Sequence, residues 1–256
     1  MRLERFLQAN PDYQVHHQGS GHEESAKQEL AVGHGHYQLF EPFISCPPGK
    51  PLRRVGRKGD GGKWLCGMET MQAPCSVISL GSRNDYTFEE AVLEETQCSL
   101  ATLDCTIKGP GRVLDAARHR FFKKCISGKA ALNDRPDFMT YEGLVTELGL
   151  PPTASPLLKI DVELYEYAVM SEWTEHTPSL PEQIALEVHF LGWRAPYLSV
   201  TSPIWGRRRL GLHDLGLFFM HLANLGYGIV NKEDNPYCPH CTEVTLLRVE
   251  APAAAR

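Results

Sequence analysis

The chain has 256 residues, 42% of them hydrophobic, and a formal net charge of -5. That length suits one domain with a buried central sheet. The negative balance argues against a general nucleic-acid-binding surface. The most apolar stretch, 215–230, is interrupted by His221 and Asn224 and is too short to span a bilayer, so no membrane insertion is expected.

The N-terminus has no apolar core of a signal peptide, which suggests a cytoplasmic chain, or a Golgi or secretory-lumen one if a targeting segment is missing. Residues 1–50 are weakly patterned and read as an N-terminal extension, partly loop or helix. His16-His17 and His34-Gly35-His36 fit no metal-ligand spacing. The Gly-, Pro- and basic-rich stretch 46–67 reads as loop. The domain proper is expected over 51–256.

Ser76-Val77-Ile78-Ser79-Leu80 is a short apolar run, as in a buried parallel strand. A turn, Gly81 to Tyr86, follows. A helix then begins at Thr87, where Thr87 and Glu90 have capping-box spacing and Phe88, Ala91 and Val92 form an apolar face. Further strands are expected at 99–103, at 121–126 and at 157–160, and another at 184–190. Helices are expected at 140–148, 163–173 and 214–225, the last closed by Gly226. Two final strands, near 227–232 and 243–249, can pair as an antiparallel edge. Strands alternating with helices give a mostly parallel sheet, covered on both faces.

Eight cysteines are present, at 46, 66, 75, 98, 105, 125, 238 and 241. An even count admits disulfides. Several lie in apolar runs, where a small buried hydrophobe is the simpler reading, so reduced thiols are favoured. Cys238-Pro239-His240-Cys241 is half a zinc site with no second pair at suitable spacing, and it lacks a thioredoxin-like setting. A structural pair is expected there, and no metal.

Ligands of such sheets bind beyond the carboxyl ends of the strands. Gly81 and Ser82 end the first strand, where a glycine lets a ligand approach the backbone, and Asn84 lies in the same turn. Asp104 ends the next strand, 23 positions after Gly81. That is close to the offset of about 20 at which an acid holds a nucleotide ribose. Asp161 ends a third strand, with two roles open: general base, or ligand of a divalent cation. Glu187 and His189 share one face of the following strand, and His189 is a second candidate base. The long segment 191–213, with Trp193, Tyr197, Trp205 and Arg207-Arg208-Arg209, suits a lid or substrate-binding loop.

Several segments together resemble one family. They are Arg54-Val55-Gly56 with Asp60-Gly61-Gly62-Lys63-Trp64-Leu65-Cys66, then Ser79-Leu80-Gly81-Ser82 with Phe88-Glu89-Glu90. Leu158-Lys159-Ile160-Asp161-Val162-Glu163 and Leu186-Glu187-Val188-His189 follow, and last Gly226-Tyr227 with Lys232 to Pro236. They are similar to the methyltransferase-domain proteins related to methyltransferase-like protein 24, and more distantly to FkbM-type O-methyltransferases. The resemblance covers roughly three quarters of the chain.

It implies a class I, Rossmann-like methyltransferase fold: a mostly parallel seven-stranded sheet with an antiparallel C-terminal edge, using S-adenosyl-L-methionine. Gly81 and Ser82 would face the methionine part and Asp104 the ribose, while Cys105 or Ile126 would flank the adenine. Asp60, Gly61 and Gly62 match a family signature that would close over the cofactor or acceptor. The family pattern has Gly where this chain has Leu164, which puts the acceptor and activity itself in question. The expected reaction is O-methylation of a small hydroxylated acceptor, such as a sugar, with Asp161 or His189 as base. Two rivals stand beside it. One is a degenerate methyltransferase fold that binds a partner. The other is a nicotinamide-dependent oxidoreductase, for which the Gly81–Tyr86 turn lacks GxGxxG.

Overall fold

A computed structural model describes residues 33–129, 136–190, 212–238 and 240–249. The strands are β1 (Leu52–Val55), β2 (Lys63–Cys66), β3 (Ser76–Leu80), β4 (Ser99–Leu103), β5 (His119–Phe122), β6 (Cys125–Ile126), β7 (Phe138–Met139), β8 (Leu157–Ile160), β9 (Gln183–His189), β10 (Tyr227–Asp234) and β11 (Cys241–Arg248). The helices are α1 (Thr87–Glu95), α2 (Tyr141–Glu147), α3 (Tyr165–Met170) and α4 (Leu212–Asn224).

Seven strands form the central sheet in the order β10-β11-β9-β8-β3-β4-β5. Pairing is parallel from β5 to β9, and β11 runs antiparallel to both β9 and β10. This is the α/β, mostly parallel architecture that the alternating pattern predicts, with the antiparallel pair at one rim. The chain reverses its direction of winding between β3 and β8, and that point places the cleft.

Strand alternation divides the core into two faces. Ile78, Leu80, Leu158, Ile160, Ile184, Leu186 and Val188 pack with α2, α3 and α4. Val77, Leu100, Leu157 and Ala185 pack instead with Phe88 and Val92 of α1 and with Val55 and Leu65 of the β1–β2 pair. At the carboxyl end this second face turns polar: Ser79, Lys159 and Glu187 are all buried there.

Several expected elements are corrected. The stretch 46–67 contains the antiparallel β1–β2 hairpin rather than loop alone. Gln183 fastens it to β9, accepting from Cys66 N at 2.7 Å and donating to Cys66 O at 3.2 Å. The single strand expected at 121–126 divides into β5 and β6, and β6 pairs with β7 in a separate small sheet. The helix expected over 163–173 is only α3. The Thr87–Glu90 capping box does not form. Asp85 Oδ1 accepts from Thr87 N at 3.1 Å and from its hydroxyl at 2.9 Å instead. Residues 1–32 and 191–211, and with them His16-His17, Trp193, Tyr197, Trp205 and the three arginines, lie outside the described residues.

The cysteines are also corrected. All eight are paired, as Cys46–Cys66, Cys75–Cys98, Cys105–Cys125 and Cys238–Cys241. Cys75 and Cys98 precede the neighbouring parallel strands β3 and β4, so the sheet itself brings their Cα atoms to 4.6 Å. Among the described residues no helix is long and apolar enough to cross a membrane.

Candidate active site

A cavity of about 1430 Å³ opens at the carboxyl ends of β3, β4, β8 and β9. Its floor is Gly81, the first residue after β3. Gly81 N donates to Leu103 O at 2.9 Å, and its φ is +82°. A Cβ there would lie 1.9 Å from the carbonyl oxygen of Asp161. No side chain fits, so the turn can only be built with glycine. Lys159 adds a clamp from below, with its ammonium donating to the Gly81 carbonyl and, at 3.4 Å, to Ser79 Oγ.

The turn beyond Gly81 is pinned by Asp104. One carboxylate oxygen accepts from Ser82 N at 3.0 Å, Ser82 Oγ at 3.2 Å and Arg83 N at 2.7 Å. The other accepts from Thr106 N at 2.8 Å and Thr106 Oγ1 at 2.6 Å. Burial alone would raise the Asp104 pKa, but these donors hold it below the ordinary value. Arg83 and Asn84 follow at positive φ, 47° and 64°.

The loop between β1 and β2 forms a second wall. Arg57 Nε lies 2.5 Å from Asp60 O and 2.9 Å from Asp85 Oδ2, which ties the Asp60-Gly61-Gly62 segment to the turn after β3. Asp60 and Gly61 line the cavity, whereas Gly62 stands behind them. A Cβ on Gly62 would meet the Arg57 carbonyl at 2.0 Å.

At the opposite end lies a buried ionic cluster. Lys63 of β2, 1% exposed, places Nζ 3.4 Å from Asp161 Oδ2 and 3.9 Å from Glu187 Oε2, and bonds Glu243 directly. Burial would strip its proton, but Glu243, Asp161 and Glu187 raise its pKa instead. Asp161 is held well below the carboxylate range: burial opposes this, and Lys63, Lys159 and His189 outweigh it. Glu187 behaves in the opposite way. Burial, Asp161 and Glu243 push it up to about 8, against Lys63 and His189. Asn235 Nδ2 donates to Glu187 Oε1 at 2.9 Å. The oxygens of Asp60, Asp161 and Glu187 approach within 4.8 Å of one another, and Lys63 Nζ reaches both Asp161 and Glu187.

His189 is buried as well. Glu166 Oε1 accepts from its backbone N at 2.9 Å and lies 3.2 Å from Nδ1, while Nε2 lies 3.5 Å from Glu163. Burial would lower its pKa, but Glu166, Glu187 and Asp161 bring it up to about 10. At neutral pH the ring is an imidazolium.

A family model described as a methyltransferase domain matches residues 8–248. The chain belongs to this methyltransferase-domain family. No curated protein matches it. Among solved structures it is similar to the Methanococcus jannaschii fibrillarin pre-rRNA processing protein, with 8% identity, 80% of this chain and 86% of that chain covered, and a TM-score of 0.40. It is also similar to a variant of the 16S rRNA (adenine(1408)-N(1))-methyltransferase from Catenulisporales acidiphilia. There the identity is 12%, the coverage 78% and 98%, and the TM-score 0.39. At these scores neither likeness carries an argument about this chain.

The cofactor of the methyltransferase domain is S-adenosyl-L-methionine, and the cavity's chemistry suits it. Gly81 leaves the sheet edge bare of side chains. The lining also includes Ser82, Asn84, Asp104, Cys105, Ile126, Asp161 and His189. Of the candidate site residues named from the sequence, Gly62 alone is set back from this surface. Cys105 reaches it as half of a disulfide with Cys125, its Cα 4.9 Å from that of Cys125. Lys63, Glu243 and Asn235 are site residues that sequence reasoning misses. Lysine is rarely buried, so spacing alone does not mark Lys63, which like Asn235 stands in a segment of the family resemblance. Asn235 lies next to Pro236 in a segment that carries the family resemblance.

Proposed function

We propose that this methyltransferase transfers the cofactor's methyl group to an oxygen of a small hydroxylated acceptor such as a sugar. S-adenosyl-L-methionine supplies the methyl as a sulfonium. In this reading Asp60, Gly61, Gly81, Ser82, Asn84 and Asp104 hold the cofactor, Gly62 shapes the loop that closes over it, and Cys105 and Ile126 flank its base. Asp161 and His189 stand at the reacting end. His189, as an imidazolium, contributes charge and position rather than taking a proton. Asp161, kept ionised by Lys63, accepts a hydrogen bond from the acceptor.

The observation that carries the reading is the cavity at the switch point, with a bare glycine turn at one end and, at the other, carboxylates held by Lys63 and Lys159. Carboxylates accept hydrogen bonds from hydroxyl groups but repel phosphates, which together with the net charge of -5 favours a small neutral acceptor over nucleic acid. Kinship with the relatives of methyltransferase-like protein 24 and with FkbM-type enzymes is part of the same proposal. Leu164 bears on the rival reading of an inactive, partner-binding fold. Its φ is +78°, a left-handed conformation that glycine takes without strain, so a glycine would fit the backbone as this chain has it. Four disulfides further favour an oxidising compartment.

Titration calorimetry tests the proposal. S-adenosyl-L-methionine and S-adenosylhomocysteine should bind, NAD should not, and monosaccharides should become methylated. Failure of both adenosyl ligands to bind folded protein would leave the partner-binding reading.

A further inference from the structure

The structure assigns to Glu187 the role of general base for the acceptor hydroxyl, with Lys63 and Asn235 as its positioning residues; this rests on the O-methylation proposed above. Three carboxylates crowd the reacting end, and position separates their tasks. Asp161 lies against Lys63 and is further stabilised as an anion by Lys159 and His189, which makes it a poor proton acceptor. Glu243 forms the closest contact with Lys63 and does not line the cavity. Glu187 does line it, only 4% exposed. Its side chain is held on three sides: Oε1 accepts from Asn235 at 2.9 Å, Oε2 is 3.9 Å from Lys63, beyond hydrogen-bond distance, and the proton it carries is hydrogen-bonded to Asp161. Once that proton is gone, Glu187 is a carboxylate on the cavity wall beside an Asp161 that stays ionised, and it can accept a proton there.

The groups facing Glu187 are Asp161 after β8, Glu243 on β11, Lys63 on β2, His189 on its own strand and the buried Tyr37 hydroxyl, with Asp60 across the cavity. Their balance places its proton-holding range near neutrality, where a base is most effective.

In the step itself, an acceptor oxygen forms a bond to the methyl carbon as the carbon–sulfur bond breaks, and that electron pair stays on sulfur. The acceptor O–H bond breaks and its proton goes to the Glu187 carboxylate. Glu187 later returns the proton to water. Lys63 keeps Asp161 ionised beside it, so the pair never carries two protons at neutral pH.

The test compares wild type with Glu187→Gln. In ligand-free protein, infrared difference spectra should show a buried carboxyl C=O band that disappears as pH rises through about 8. That band should be missing in Glu187→Gln. S-adenosyl-L-methionine affinity should stay within about twofold, while kcat on monosaccharides should fall roughly 100-fold. In wild type, kcat should rise through the same pH range. A titrating band that persists in Glu187→Gln, or no titrating band at all, would overturn the assignment. So would full turnover by the variant. Failure of wild type to bind S-adenosyl-L-methionine would instead overturn the O-methylation reading, and the ligand-free spectra would still report on Glu187.

Discussion

Glu166 Oε1 receives the backbone N–H of His189 at 2.9 Å and stands 3.2 Å from its ring Nδ1, with both residues buried. One carboxylate thus fixes both the end of β9 and the charge of the imidazole. The His189 pKa lies above its unfolded value near 6.5, at about 10. Its stabilisation is fully present below 6.5 and is lost as pH rises through 10. Glu166→Gln should remove about 3 kcal/mol at pH 7, as expected when a buried pair loses one partner. Melting temperatures from pH 6 to 10 should fall less steeply for Glu166→Gln than for wild type. Some slope should remain, because Glu187 also holds its proton above its unfolded range and loses that stabilisation as pH rises.

Asp104 should matter for the fold before it matters for the ligand. Its two oxygens accept from Ser82, Arg83 and Thr106. Asp104→Ala leaves three backbone N–H groups without their partner, at a cost of roughly 2–4 kcal/mol. Asp104→Asn keeps one oxygen and should lie between the variant and wild type. Chemical denaturation gives the stability order, and calorimetry with S-adenosyl-L-methionine should follow the same order. A stable Asp104→Ala that nonetheless loses all binding would show that the carboxylate serves the ligand and not the turn.

How much of this was legible in the sequence depends on the range of the interaction. β3, β4 and β8 are continuous apolar runs ending in Gly81, Asp104 and Asp161, so their place at the cleft could be read directly. The β1–β2 hairpin could not. Its strands are four residues long, and its turn is made of Gly, Asp and basic residues that also spell loop. Lys63 becomes a site residue only because Glu187 and Glu243, neighbours in register on β9 and β11, meet it from far along the chain. The disulfides depend on strand adjacency in the same way. Glu187 and His189 were visible as a shared face, but the charge on His189 comes from Glu166, whose approach no spacing announces.

Leu164 combines a strained backbone with a well-packed side chain. Its φ of +78° costs an L-residue about 1 kcal/mol. Its side chain belongs to the larger core cluster, 5% exposed, and burying a leucine contributes about 1.5–3 kcal/mol. Leu164→Gly relieves the first and loses the second, so it should be destabilising by roughly 1–2 kcal/mol. Leu164→Ala keeps the strain and also loses the packing, and should be worse. Guanidinium midpoints decide the order. If Leu164→Gly proves more stable than wild type, the backbone outweighs the packing at this site.

The four disulfides should divide into three that contribute more to the fold and one that contributes less. Cys46–Cys66, Cys75–Cys98 and Cys105–Cys125 close loops with separations of 20, 23 and 20 residues, whereas Cys238–Cys241 spans only 3. Loop-closure entropy assigns roughly 3 kcal/mol to each long bridge and roughly 2 kcal/mol to the short one. Cys75→Ser with Cys98→Ser should therefore lower the melting temperature more than Cys238→Ser with Cys241→Ser. The positions sharpen the contrast. Cys98 is fully buried just before β4, and losing its bridge also disturbs the packing there, while Cys238 is only partly buried at the cavity wall. Calorimetric melting of the two double variants, each compared with wild type under non-reducing conditions, measures the difference. Equal losses would mean that the Cys238–Cys241 bridge holds the turn after β10, and with it Asn235, as firmly as the long bridges hold the sheet.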